Sequence, residues 1–100
     1  MGQMTREEIG EYNEEALLCD GFDEAIIGMA ERINLGPVVA YDVEKILSIL
    51  VQQMELDEEE LKESPEEQDA IAYSMAVEYF EYNIRGAWMG EFTPVFIYTE

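Results

Sequence analysis

One hundred residues, 48% of them hydrophobic and 11% aromatic, suit one domain of common size with material for a core, and argue against a disordered acidic tail. Twenty-four acids against five bases leave a net charge of −19, which argues against binding to nucleic acid or to anionic membranes and directs attention to cationic partners. No histidine and a single cysteine, Cys19, remove the commonest neutral-pH base, a structural zinc set and any internal disulfide.

Taken in chain order, the first pattern is a capping box, Thr5 followed by Glu8, with Ile9, Tyr12 and Ala16 at helical spacing. It predicts a helix from Thr5 to Leu17, weakened at Gly10, with Glu7, Glu11 and Glu14 or Glu15 on one outward face. "CDGFDE" reads as a turn at Asp20-Gly21. Two apolar runs, "AIIGMAERI" and "VVAY", flank "NLGP" and favour a β-hairpin through their β-branched content and punctuation. A helix over Asp23 to Ile33 is the rival, because Ala25, Met29 and Arg32 also fit that period.

Asp42 is an N-cap for "VEKILSILVQQM", whose Val43, Ile46, Leu47, Leu50 and Val51 form an apolar stripe. The acidic stretch that follows predicts a short irregular or helical excursion around Asp57 to Glu63. Ser64-Pro65-Glu66-Glu67 then opens a helix with a cap, a proline at its first position and an early acid. Ala70, Tyr73, Val77, Phe80 and Ile84 are its expected buried stripe, and Gly86 its end. "TPVFIYT" alternates like a strand, with Pro94 near its start. The expected fold class is α+β: a small antiparallel sheet, hairpin plus C-terminal strand, packed against three to four helices.

Few residues invite catalysis. Carboxylates are too abundant for any pair to stand out as general acid and base. Asp20, Asp23 and Glu24 surround Gly21 and can attract a hard cation, but their spacing is not that of a calcium loop, and weak surface binding of divalents is the plainer expectation. Cys19 has no histidine to activate it and reads as a small buried hydrophobe. The glycines match no phosphate-cradling loop. The expectation is a chain without catalytic residues, metal or cofactor, with a small enzyme or ligand binder at the Asp20-Gly21-Phe22-Asp23 turn as a minor alternative. No segment reads as a signal peptide or membrane span, so a cytoplasmic protein is expected.

The acids are clustered. Glu7 to Glu24 holds eight acids and no base, and Glu55 to Asp69 holds nine acids and one lysine. A solvated face that maintains solubility is the ordinary meaning of such a run. Clustering, the adjacent helix signals and sparse compensation, with Glu58–Lys62 and Glu81–Arg85 the evident i,i+4 pairs, point further. Carboxylates one helical turn apart have Cβ atoms roughly 5–6 Å from one another. Duplex DNA carries a charge every ~1.7 Å of axis, so two such faces can approximate a short duplex. The candidate contact residues are Glu55, Asp57, Glu58, Glu59, Glu60, Glu63, Glu66, Glu67 and Asp69, with Glu7, Glu11, Glu14 and Glu15 as a second face. The alternative is an assembly module, a homodimer among its forms, binding through an aromatic surface at Trp88, Phe92 and Phe96; core and sheet packing is the ordinary role for those rings.

"DGFDEAIIG" (Asp20 to Gly28), "VVAYDVEKILSIL" (Val38 to Leu50) and "EYFEYNIRGAWMGEFTPVFI" (Glu78 to Ile97) resemble a family of small acidic proteins encoded by bacteriophages and prophages. The third block is the most specific, through Asn83, Gly86-Ala87, Gly90-Glu91 and Thr93-Pro94. The family has no established activity, so the resemblance carries over no functional residue. Its members have a shorter link between the two later helices, which makes Glu55 to Asp69 a departure. A phage origin implies, by analogy, an antagonist of a host restriction or CRISPR nuclease, acting in the bacterial cytoplasm. The partner would be a host protein with a basic nucleic-acid-binding surface.

Overall fold

The computed structural model describes residues 4–87 and 89–98. The chain divides into two compact units, residues 1–46 with 88–100, and residues 47–87.

The first unit begins with helix α1 (Arg6–Tyr12). Its capping box is complete: Thr5 Oγ1 accepts from the Glu8 N–H, and the Glu8 carboxylate accepts from the Thr5 N–H, each at 3.1 Å. The helix ends at Tyr12, short of the expected Leu17, because Asn13 has other partners. Its Oδ1 accepts from the Glu15 N–H at 3.0 Å, an Asx turn, while its Nδ2 donates to the Pro37 carbonyl at 2.9 Å. Gly21, at φ +90°, makes the turn before a short 3₁₀ segment, Asp23–Ala25.

The hairpin prevails over its helical rival. Strands β1 (Ile26–Arg32) and β2 (Leu35–Asp42) pair antiparallel through a two-residue connection whose Asn34 sits at φ 61°. The register slips twice, between Ile26 and Gly28 and between Ala30 and Arg32. At the second slip β2 carries the extra residue, at Gly36-Pro37, where a proline costs no ladder bond. Side chains satisfy the carbonyls there. Arg32 donates to the Gly36 carbonyl from Nε and Nη2, and Asn13 serves Pro37. Gly36 gives close packing at this point: a Cβ would lie 3.0 Å from the Phe92 ring and 3.1 Å from Asn13 Nδ2, so those side chains would have to shift.

Strand β3 (Val95–Ile97) follows a turn at Gly90, φ +102°, closed by Thr93, whose hydroxyl donates to the Gly90 carbonyl at 2.6 Å. β3 pairs with Ala40–Asp42 and runs parallel to β2, so the sheet is mixed, in the order β1-β2-β3, and antiparallel only within the hairpin. The connection allows it: β2 and β3 are separated by a long helical excursion, as a parallel pairing needs, and a short turn would have allowed only the antiparallel one. The α+β class, hairpin plus C-terminal strand, is as expected. Val38, Val39, Ala40 and Tyr41 are all buried; successive side chains alternate faces, so central β2 is covered on both.

Tyr41 is fully buried, and its hydroxyl accepts from the Cys19 N–H at 2.7 Å. Burial pushes that hydroxyl up to about 12, against the Cys19 N–H, which favours the ionised form. Burial also pushes the half-buried Cys19 thiol up. Cys19 is thus only half-buried, where the sequence suggests a buried small hydrophobe.

Helix α2 (Val43–Gln53) starts directly from β2, where the Asp42 carboxylate accepts from the Glu44 N–H at 3.0 Å. Val43, Ile46, Leu47 and Leu50 are buried and Val51 is half-buried, as its stripe predicts. In the second unit, α3 (Pro65–Phe80) begins at the predicted Ser64 cap, whose Oγ accepts from the Glu67 N–H at 3.2 Å. Its buried face differs from the expected one. Ala72, Ala76 and Phe80 are buried, whereas Ala70 and Tyr73 are exposed. Apolar residues surround this helix, so spacing does not single out one stripe. Alanines permit close approach, and tyrosines can keep their hydroxyls wet. The helix then widens into a π turn, Glu81–Arg85, capped by Gly86, whose N–H donates to the Glu81 carbonyl at 3.1 Å.

Two glycine substitutions separate these environments. A Cβ at Gly86 would lie 2.9 Å from the Glu81 carbonyl oxygen, so Gly86→Ala should cost about 1–3 kcal/mol by urea unfolding. Gly10, inside α1, has nothing within 4 Å of a Cβ, so Gly10→Ala should gain roughly 0.5–1 kcal/mol. The raised hydroxyl of Tyr41 gives a second prediction. The folded state holds that proton more tightly, so the contribution is fully present below tyrosine's ordinary value of about 10 and is lost as pH rises through about 12. Tyr41→Phe should flatten this alkaline limb in pH-dependent denaturation, at a cost near neutrality of about 1 kcal/mol for the orphaned Cys19 N–H.

Candidate partner-binding surface

The acidic stretch between α2 and α3 is a built turn whose own carboxylates order it. Asp57 Oδ1 accepts from the Glu60 N–H at 2.8 Å, and the Glu60 carboxylate accepts from the Asp57 N–H at 3.0 Å. This reciprocal cap starts a 3₁₀ segment, Glu60–Lys62, as the excursion predicted there. Gln68, one turn into α3, then donates its amide to the carbonyls of Leu61 at 3.1 Å and Glu63 at 2.9 Å. The turn is thereby tied to the helix it precedes.

The nine carboxylates divide by what they touch. Asp57 and Glu60 cap backbone, and Glu60 is half-buried. Lys62 pairs with Glu59 at 3.5 Å, three residues away, rather than with the expected Glu58. Both ends of that pair are exposed, so it is worth little. Glu66 and Glu67 occupy the first turn of α3, where the helix dipole favours negative charge. Glu55, Glu58, Glu63 and Asp69 are exposed and make none of these contacts. The structure thus brings the predicted group onto one turn–helix unit, with Lys62 the one base inside the stretch.

The second predicted face changes. Glu7 and Glu11 are exposed on α1, but Glu14 and Glu15 lie beyond its end, in the turn organised by Asn13. They do not continue the helical face. The Asp20–Asp23 turn, considered above for a hard cation, has a different occupant. Arg6 donates to Asp23 from Nε and Nη2 at 2.9 Å each, and to Asp20 at 3.2 Å. The hydrogen bonds from Arg6 hold the Asp23 carboxyl below its ordinary range, and Arg6 is raised in return. Among the described residues no group of three or more Asp, Glu or Cys side chains is placed to hold a metal ion.

Of the aromatic alternative, Trp88 lies outside the described residues. Phe92 is half-buried over Gly36, and Phe96 is half-buried with its ring stacked on Tyr41, centroids 6.1 Å apart. Both have packing roles within their unit.

A feature that sequence spacing missed lies in the second unit. Met54, Met75, Glu78, Tyr79, Tyr82 and Asn83 line an open groove of about 380 Å³. Tyr79 and Tyr82 are 47% and 77% exposed. The π turn sets the direction of Tyr82 and Asn83, and Asn83 Nδ2 donates back to the Tyr79 carbonyl at 3.3 Å. The available signal was the pair Tyr79 and Tyr82, three apart and flanking buried Phe80.

No helix among the described residues is long and apolar enough to cross a membrane. Comparison with protein-family models, curated proteins and solved structures finds no match.

Crowded carboxylates predict a salt effect on stability. Raising salt from about 0.01 M to about 0.5 M should raise the melting temperature by several degrees as repulsion is screened, measured by circular dichroism. An unchanged melting temperature would mean the acids are spaced widely enough not to interact.

Proposed function

We propose that this chain is a non-enzymatic inhibitor that substitutes for nucleic acid. Its acidic turn–helix unit, residues 55–69, enters the basic cleft of a DNA-binding host defence enzyme, of the restriction or CRISPR nuclease kind, in the bacterial cytoplasm. One observation carries this reading. Nine carboxylates within fifteen residues lie along a turn closed by the Asp57–Glu60 cap and the Gln68 clamp and along the first turns of α3, instead of in a loose tail. Ordering like charges costs free energy in the isolated protein. A cationic partner that neutralises the array returns that cost, and the backbone that presents the carboxylates needs no further ordering. Glu55, Glu58, Glu63 and Asp69, exposed and without a capping duty, are the primary contacts. The resemblance to acidic phage proteins supports the choice of a host defence target.

The test begins with tagged protein used to capture partners from bacterial lysate at low salt, with elution by salt and then by competitor DNA. A nucleic-acid-binding enzyme released by both is the expected recovery; a partner indifferent to both overturns the reading. With that partner in hand, the quadruple variant Glu55→Lys, Glu58→Lys, Glu63→Lys and Asp69→Lys should weaken binding by a hundredfold or more, about 3 kcal/mol. It should also flatten the salt dependence, since fewer opposite charges remain across the interface for salt to screen.

A further inference from the structure

We infer that the groove of the second unit is an arginine-binding site: it receives a guanidinium side chain projecting from the basic protein surface that the acidic unit engages. This inference rests on the proposed function for the partner's basic character and adds a specific anchor to it.

The chemistry of the lining selects the occupant. Glu78 supplies a carboxylate. Asn83 spends its Nδ2 on the Tyr79 carbonyl, which leaves Oδ1 as an acceptor. Tyr79 and Tyr82, both exposed, bring aromatic rings to the lining. Met54 and Met75, both half-buried, supply an adaptable apolar floor. The lining is therefore mostly apolar and aromatic, with one carboxylate and one free amide oxygen as its strong acceptors, and its donors are limited to tyrosine hydroxyls and the amide already engaged. A guanidinium is the complement: a plane that stacks on tyrosine, a fork of donors for a carboxylate, and a methylene stem for the thioethers. An ammonium satisfies the carboxylate but neither stacks nor forks. A phosphate or carboxylate ligand would meet Glu78 with no cation among the lining residues.

Charge complementarity extends beyond the lining. The net charge of −19 draws cationic segments to this chain from a distance, but it does not discriminate between lysine and arginine. The groove supplies that discrimination at short range. Its shape depends on the π turn, since the additional residue in that turn sets where Tyr82 and Asn83 project, and Gly86 permits the turn by lacking a Cβ.

The experiment labels the methionine methyl groups with carbon-13 and titrates the full chain with a short alternating Arg-Gly peptide, at about 0.15 M salt to suppress long-range attraction. A parallel titration uses the Lys-Gly counterpart. Saturable shifts of the Met54 and Met75 methyls by the arginine peptide are expected, with the lysine peptide weaker by about fivefold or more. Tyr82→Ala and Glu78→Gln should each weaken the arginine peptide by roughly tenfold. Tyr82 is 77% exposed, so its removal leaves the fold in place. Unmoved Met54 and Met75 methyls, equal binding of both peptides, or full affinity in Tyr82→Ala would each overturn the site. The two proposals fail separately. If the captured partner ignores salt and DNA while Met54 and Met75 still report the arginine peptide, the mimicry reading falls and the groove stands. If the quadruple lysine variant loses the partner while Tyr82→Ala binds the arginine peptide normally, the groove falls and mimicry stands.

Discussion

The hydroxyl of Tyr41 and the strand beneath it connect the pieces of the first unit. Its oxygen receives the Cys19 N–H, its ring stacks on Phe96, and its backbone position is in register with Ile26 on one side and Phe96 on the other. One buried residue thus links the segment after α1, the hairpin and the returning C-terminal strand. A chain with this much like charge needs such a centre. Its exposed acids repel one another, so cohesion has to come from apolar burial and from polar groups that are fully satisfied where they are buried. Among the described residues no buried side-chain polar atom is left without a partner.

The same economy governs the acids themselves. Several of them do structural work in which negative charge is an advantage: Glu8 and Asp42 at helix starts, Asp57 and Glu60 closing a turn, Asp20 and Asp23 on the Arg6 guanidinium. Carboxylates at helix N-termini meet unpaired N–H groups and the positive end of the dipole. What remains after this allocation is a smaller set, with Glu55, Glu58, Glu63 and Asp69 at its centre, for which the fold shows no internal use. These residues carry the functional proposal because structural need does not account for them.

The second unit combines that set with a mostly apolar, aromatic groove that holds one carboxylate. Diffuse charge and a shaped pocket recognise a partner in different ways. The field acts over roughly a Debye length and speeds encounter without choosing among basic surfaces. A groove lined by two tyrosines, a carboxylate and two methionines acts only at contact and, on the proposal made above, would distinguish one cationic side chain from another. Together they would give a protein of this size both rapid association and a preferred orientation.

Local chemistry explains which features were legible in the amino-acid order. The Thr5–Glu8 box, the Asp42 cap, Ser64-Pro65 and the hairpin punctuation each act within a few residues, so the starts of α1, α2 and α3 and the existence of the hairpin could be read directly. The clustering of acids in 55–69 was equally legible. Features decided at long range were not. The end of α1 depends on Asn13 finding Pro37, the Arg6 pairs bridge fourteen and seventeen residues, and β3 pairs parallel with a strand from which two helices separate it in the chain. The buried face of α3 was undetermined because apolar residues surround that helix and only its neighbours choose among them. The groove depends on a π turn, a change of one residue in hydrogen-bond span that no pattern of side chains announced. Composition and local capping therefore settled the class, the helix starts and the charge, whereas register, strand direction, burial and the groove came from contacts between residues distant along the chain.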